Sequence, residues 1–304
     1  MYNDWFGLRK DPFSLAQDAS FLFLTDQHRE ALSGLTFSIL QRRGFVALTG
    51  EIGTGKSTLV SRIVRFLPAA KLQFSWIVNP TLTPSEFLEY TLLEFGLTPI
   101  PTNKGQQLFA LRNFIHRGEQ EGKVTALIVD EAQKLSPEVL EEIRMLANLE
   151  RAEQPWLQIV LVGQPEFDDI LNQEEMRVLK QRIAVRFTLR PLASAEVGEY
   201  MRHRWLVAGG TNLPFTPEAI EDVATASQRI PRLINSVCDN ALLRAFEDNS
   251  RLVLETHVRR AAASLDLGGL PARESVVIPE KPAFKTLLQP KSLWGRWVSR
   301  HESA

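Results

Sequence analysis

The run Gly50-Glu51-Ile52-Gly53-Thr54-Gly55-Lys56-Ser57 reads G-x-x-x-x-G-K-S, a spacing suited to cradling the phosphates of a nucleoside triphosphate. Its glycines let the chain curl so that successive backbone N–H groups point inward. A helix starting just beyond adds positive partial charge beneath them. Lys56 is spaced to reach the β- and γ-phosphates, Ser57 to complete the coordination of Mg²⁺, and Thr58 closes the nucleotide-binding set. A second group is Ala126-Leu127-Ile128-Val129-Asp130-Glu131, an apolar strand ending in two acids. At a strand end beside the loop, Asp130 is placed to hold Mg²⁺ through its water shell. Glu131 is then placed to orient or deprotonate an attacking water.

These groups need a scaffold whose strands end together. Apolar runs at 45–49, 74–78, 124–129, 157–162 and 184–189 read as buried strands. Helical patterns at 58–67, 84–95, 106–121 and 137–149 lie between them. This alternation predicts an α/β fold, a parallel sheet sandwiched by helices. Ser136-Pro137-Glu138 opens one helix with a Ser cap, a Pro in the first turn and an acid beside it. After Pro191 the pattern turns helical from 194 to 265, broken near Gly209-Gly210, Pro214 and Pro231. Leu252-Val253-Leu254 is β-like, and Thr256 is the expected cap of the last helix.

The expected division is therefore 1–43, an N-terminal segment packed on the nucleotide-binding core; 44–191, the α/β domain; 192–267, a small helical lid; and 268–304, a Pro-containing linker and tail. In the tail, Leu293, Trp294, Trp297 and Val298 would share one face of a helix suited to a membrane surface or a partner. A frayed terminus is the plainer expectation.

Hydrophobic residues at 44% and charged residues at 23% of 304 place the chain among ordinary soluble globular proteins. A net charge of −1 argues neither for nor against nucleic acid. A single cysteine, Cys238, excludes an internal disulfide and fits a reducing cytosol; its apolar helical setting marks it as a buried thiol. No apolar run reaches membrane-spanning length, and the start lacks the layout of a signal peptide, so a cytoplasmic location is expected.

A phosphate loop alone does not choose a family. A base-reading N-K-x-D motif is missing; Asn103-Lys104-Gly105-Gln106 lacks the acid and precedes Asp130. The chain is too short for two helicase motor cores, and an Asp-Glu pair followed by a helical lid leaves the AAA+ arrangement. The order of further motifs is specific: Phe6-Gly7-Leu8, Asp11-Pro12-Phe13, Phe21-Leu22-Phe23, His28-Arg29-Glu30-Ala31-Leu32, Gly44-Phe45, Asp130-Glu131-Ala132-Gln133, Leu161-Val162-Gly163-Gln164-Pro165-Glu166, Arg182-Ile183 and Ile230-Pro231-Arg232-Leu233-Ile234-Asn235. From Tyr2 to about Leu265 the chain resembles the general secretion pathway protein A (ExeA/GspA) type of AAA+ ATPase, a group similar to ATPases that regulate transposition.

The resemblance implies further roles. Gln164 occupies the sensor-1 position, facing the lytic water or the γ-phosphate. Arg182 is the arginine offered to a neighbour's nucleotide, with Arg177 and Arg186 as competitors. Arg232 in the lid is sensor 2. One departure is Gln228-Arg229, where the family usually has Gly-Gly; the turn there is in question, and Arg229 competes as a phosphate contact. Phe13, Leu22 and Phe23 either approach the base or, as apolar residues usually do, anchor the N-terminus. The resemblance further implies ATP and Mg²⁺ as cofactors and a homo-oligomer, ring or filament. The partner would be a client of a secretion or export machinery, with the chain at the inner membrane without spanning it. The alternative is a DNA-associated regulator of transposition target choice, for which Arg42-Arg43, Arg62, Arg65 and Lys71 are the available basic residues. Arg42-Arg43 otherwise reads as a solvated helix end.

Overall fold

The computed structural model describes residues 2–16, 18–78, 80–148, 155–268 and 270. The expectations for the tail fall outside them. In chain order the elements are α1 Tyr2–Phe6, α2 Asp26–Leu40, β1 Phe45–Gly50, α3 Lys56–Phe66, β2 Leu72–Ile77, α4 Pro84–Glu94, α5 Lys104–Gln120, β3 Val124–Val129, α6 Pro137–Leu146 and β4 Leu157–Gly163. There follow α7 Glu166–Leu171, α8 Arg177–Arg182, β5 Ile183–Leu189, α9 Ser194–Val207, α10 Pro217–Ala226, α11 Pro231–Glu247 and α12 Glu255–Ser264.

The strands form a parallel five-stranded sheet in the order β2-β3-β4-β1-β5. Because side chains alternate along a strand, each central strand feeds two cores. Phe45 and Ala47 of β1, Leu127 and Val129 of β3, and Leu157, Ile159 and Leu161 of β4 meet the helices on one face. Val46 and Leu48, Ala126 and Ile128, Val160 and Val162 meet α2 and α3 on the other. Burial on both faces is why these strands read as unbroken apolar runs. β5, at the sheet edge, instead alternates buried and exposed positions.

Several helix starts have local causes. Thr83 and Glu86 form a capping box at α4, and the Ser136 hydroxyl accepts from Val139 N–H at α6. The Asn103 side chain accepts from Gly105 N–H at 2.8 Å, which starts α5 ahead of the expected 106; the N-K-G-Q string is a helix cap. At α12 the cap position is Leu254 rather than Thr256. Thr256 lies inside the first turn, and His257 Nδ1 accepts from Leu254 N–H at 3.0 Å. Leu252–Leu254 contributes a single bridge, Phe215 to Val253, and no strand.

A third core joins α9 to α12, with Cys238 fully buried within it. The N-terminal segment does not pack as one piece. Leu8, Phe13 and Phe21 belong to this helical core, whereas Ala31, Leu35 and Ile39 of α2 cover the sheet. The segment therefore bridges the two parts. Arg42, expected as a solvated helix end, has a side chain only 17% exposed; its Nη1 meets Glu119 Oε1 at 3.3 Å and its Nη2 donates to the Lys123 carbonyl.

Candidate functional site

β1 ends at Gly50 and α3 begins at Lys56, so the phosphate-loop residues form the turn between a buried strand and a helix N-terminus. Gly55 is the helix cap in a left-handed conformation, φ 103°. Gly53 is required for space as well: at φ +84°, an added Cβ would lie 2.5 Å from the Cβ of Arg232. Lys56 is folded back on the loop, its Nζ donating to the Gly50 carbonyl at 2.6 Å and the Glu51 carbonyl at 3.0 Å. Burial lowers the proton affinity of its ammonium, and the charges of Asp130 and Glu131 oppose that shift.

β3 pairs with β4, which pairs with β1, and the carboxyl end of β3 brings the two acids to the loop. Ser57 Oγ donates to Asp130 Oδ2 at 2.8 Å, and the other Asp130 oxygen accepts from Glu131 N–H. A hydroxyl and one carboxylate at this separation fit a hard divalent cation such as Mg²⁺, which takes few protein oxygens and keeps waters or phosphate oxygens for the rest. Glu131 sits in the left-handed region at φ 57°, an uncommon state for a residue with a side chain. Its Oε2 gathers Gln133 Nε2 at 2.8 Å, Gln164 Nε2 at 3.3 Å and Lys134 Nζ at 3.3 Å. Burial raises the Glu131 carboxyl, but these donors and the Lys134 charge outweigh it and hold the group below the usual range. Gln133 also accepts from Gln164 N–H at 3.1 Å, tying the β3 end to the β4 end.

A cleft of about 510 Å³ runs from this loop to the helical part, with Leu22, Phe23, Arg62, Tyr200, Arg232 and Asn235 in its walls. Residues 39–171 match the AAA domain family. Over 264 residues the chain is 40% identical to general secretion pathway protein A of Aeromonas hydrophila, covering 86% of this chain and 48% of that one. The chain carries an AAA domain. It is also 29% identical over 201 residues to the ATP-dependent target DNA activator B of Escherichia phage Mu, covering 63% of this chain and 58% of that one. The chain thus spans about half the length of the curated relatives it matches. Among solved structures, the Aeropyrum pernix ORC2 protein is similar with a TM-score of 0.63 at 18% identity, over 85% of this chain and 72% of that one; this likeness concerns the fold.

Within this AAA domain, Lys56, Ser57, Asp130, Glu131 and Gln164 meet at the carboxyl edge of the sheet. Arg232 reaches the same cleft from the first turn of α11, its N–H 3.3 Å from the Gly53 carbonyl. Arg229 is exposed and outside the cleft wall. The turn that glycines would hold forms here with Gln228 at φ 50° and Arg229 at φ 62°, both left-handed. Arg177, Arg182 and Arg186 lie outside the cleft. Arg186 pairs with Asp168 at 3.8 Å, and Arg182 ends α8 near Glu141, whose carboxyl is lowered chiefly by Arg144 and more weakly by Arg182.

Phe13 is packed edge-on against Phe215 in the helical core, while Leu22 and Phe23 line the cleft. His28, which no sequence motif gave a role, supports the loop directly. Its Nε2–H donates to the Thr54 carbonyl at 3.1 Å, since that oxygen can only accept, and its Nδ1 takes the Thr25 hydroxyl at 2.6 Å. Burial lowers its proton affinity, which the bond to Thr54 partly offsets. The spacing of Thr25 and His28 on the first turn of a helix was the available signal.

Proposed function

We propose that this protein binds Mg·ATP in the cleft between the sheet edge and the helical lid and hydrolyses it as an oligomeric switch. The observation that carries the reading is the convergence of Lys56, the Ser57–Asp130 pair and Glu131 beside a loop that the lid touches at Gly53. The backbone N–H groups from Gly50 to Thr58, including those of Glu51 and Ile52, surround the phosphates. Lys56 exchanges its loop carbonyls for β- and γ-phosphate oxygens. Ser57 and Asp130 would hold Mg²⁺, which would supply positive charge to offset that developing on those oxygens. Glu131, kept ionised by its neighbours, uses Oε1 to accept a proton from the attacking water, because its contacts converge on Oε2. Gln164 fixes that carboxylate, and Arg232 registers the γ-phosphate from the lid. Arg182, outside its own cleft, is offered to a neighbouring subunit in a ring or filament.

The 40% identity to general secretion pathway protein A supports a role in assembling or energising a secretion apparatus, at the cytoplasmic side of the inner membrane. Among the described residues no helix is long and apolar enough to cross a membrane. A second reading, a DNA-associated ATPase regulating transposition, draws on the match to the phage Mu activator and on exposed Arg62 and Arg65 at the cleft rim. The domain limits proposed remain 44–191 for the nucleotide-binding part and 192–267 for the lid.

The test is steady-state ATP hydrolysis with and without Mg²⁺ and duplex DNA over a range of salt. Mg²⁺-dependent turnover indifferent to DNA supports the secretion reading. Stimulation by DNA that fades with salt favours the second. Absence of nucleotide binding overturns both.

A further inference from the structure

One wall of the cleft is made by Ser14, Leu15 and Ala16, chain outside any helix or strand. One side chain pulls it against the lid. Arg204, in the third turn of α9, is 7% exposed and has no carboxylate partner among the described ion pairs. Its guanidinium is spent on the segment instead. Nε donates to the Pro12 carbonyl at 2.5 Å, Nη2 to the Ser14 carbonyl at 3.0 Å, and Nη1 to the Tyr200 hydroxyl at 3.2 Å. The same group lies 4.7 Å from the centre of the Phe21 ring. The Tyr200 hydroxyl donates to Asn235 Oδ1 at 2.8 Å, on the helix that carries Arg232, and the ring packs edge-on against Phe23.

A charge buried without a counter-ion is costly to keep where an apolar side chain would fill the space. What the guanidinium supplies that an apolar residue cannot is a rigid fork, able to hold two carbonyls two residues apart. Ser14, Leu15, Tyr200 and Asn235 line the same cleft as the loop around Lys56 and offer the nucleoside half a wall there. We propose that Arg204 is a positioning residue for the nucleoside half of the nucleotide, fixing residues 12–16 as a preformed wall without touching the phosphates. The proposal rests on the reading of the cleft as a nucleotide site.

The experiment measures binding of ATP, ADP and inorganic tripolyphosphate to the full chain by calorimetry, together with KM and kcat. The variants are Arg204→Ala, Arg204→Lys and Tyr200→Phe, with folding checked by thermal melting. Arg204→Ala should weaken ATP and ADP about ten-fold or more, a loss typical of removing hydrogen bonds from a charged donor, while tripolyphosphate affinity stays within about two-fold. KM should rise by more than kcat falls. Arg204→Lys, which can hold one carbonyl, should fall between. Tyr200→Phe, which keeps the ring in the core, should show the same pattern more weakly and decides the matter if Arg204→Ala does not fold. Parallel losses of ATP and tripolyphosphate, or unchanged ATP affinity in a folded variant, would overturn the proposal. A wild-type chain that binds tripolyphosphate but no ATP would overturn it too. A wild-type chain that binds neither overturns the nucleotide reading itself.

Discussion

Replacing Gly53 by Ala tests whether contact between the phosphate loop and the lid matters. The added Cβ would stand 2.5 Å from Arg232 Cβ, 3.2 Å from Ile230 Cγ2 and 3.4 Å from Arg232 Cδ. Carbon atoms pack at roughly 3.5–4 Å, so the first turn of α11 must retreat by about 1 Å. The nearest obstacle is a Cβ, which cannot swing away without its backbone. At φ +84° the alanine also carries backbone strain of about 1 kcal/mol. Overpacking and strain together predict a stability loss of about 2–3 kcal/mol. A shift of about 1 Å at Arg232 is expected to lower turnover on the order of 100-fold. The control is Gly122→Ala, at φ +71° with nothing within 4 Å of the new Cβ, which carries the strain without the collision. Thermal melting and ATP hydrolysis at saturating Mg·ATP are compared for the two. If Gly53→Ala hydrolyses ATP as fast as Gly122→Ala, the loop–lid contact has no part in the activity and the argument fails.

Three other perturbations follow from the same geometry. Because burial holds His28 below the ordinary histidine value of 6.5, the unfolded chain binds the proton first as pH falls. Its contribution is therefore full above about pH 6.5 and is lost as pH drops toward the lower folded value. The melting temperature should fall as pH drops below about 6.5, and less steeply in His28→Asn; His203 and His257, shifted the same way, supply the slope that remains. Equal slopes would remove His28 from the account. At the left-handed Arg229, Arg229→Gly should be more stable than Arg229→Val by about 1–2 kcal/mol in denaturant titrations; the reverse order would deny the strain. Arg42→Ala should cost about 1 kcal/mol, since it removes the bond to the Lys123 carbonyl and the ion pair with Glu119; a stability equal to wild type would return Arg42 to the surface.

Much of this was legible in the chain because it is local. β1, β3 and β4 announce themselves as apolar runs since both faces are covered, and Ser136-Pro137-Glu138 starts a helix by bonds within its own first turn. The loop residues form one unbroken run and the two acids another, at the ends of β1 and β3 with only β4 between them. β2, read from 74 to 78 and found at Leu72–Ile77, was harder to bound, because an edge strand with half-buried positions looks less apolar. The rest depends on pairings between distant residues that leave no period: His28 with Thr54, Tyr200 with Asn235, Arg204 with Pro12 and Ser14. The N-terminal segment divides between two cores for the same reason. Its aromatic residues read as anchors, and only the tertiary contacts show that Phe13 and Phe21 anchor to the helical part. Gln133 lies beside the acids in sequence, but its bridge to Gln164 requires knowing that β3 and β4 are neighbours.

The central claim is that Glu131 activates water beside a triphosphate held by Lys56 and its loop. The most direct measurement compares ATP binding and single-turnover hydrolysis in wild type and Glu131→Gln. The glutamine keeps the size of the side chain and can still meet the donors of Gln133 and Gln164 through its carbonyl, but it takes no proton from water. ATP affinity should stay within a few-fold of wild type while hydrolysis falls about 100-fold or more. Hydrolysis by Glu131→Gln at the wild-type rate would contradict the account.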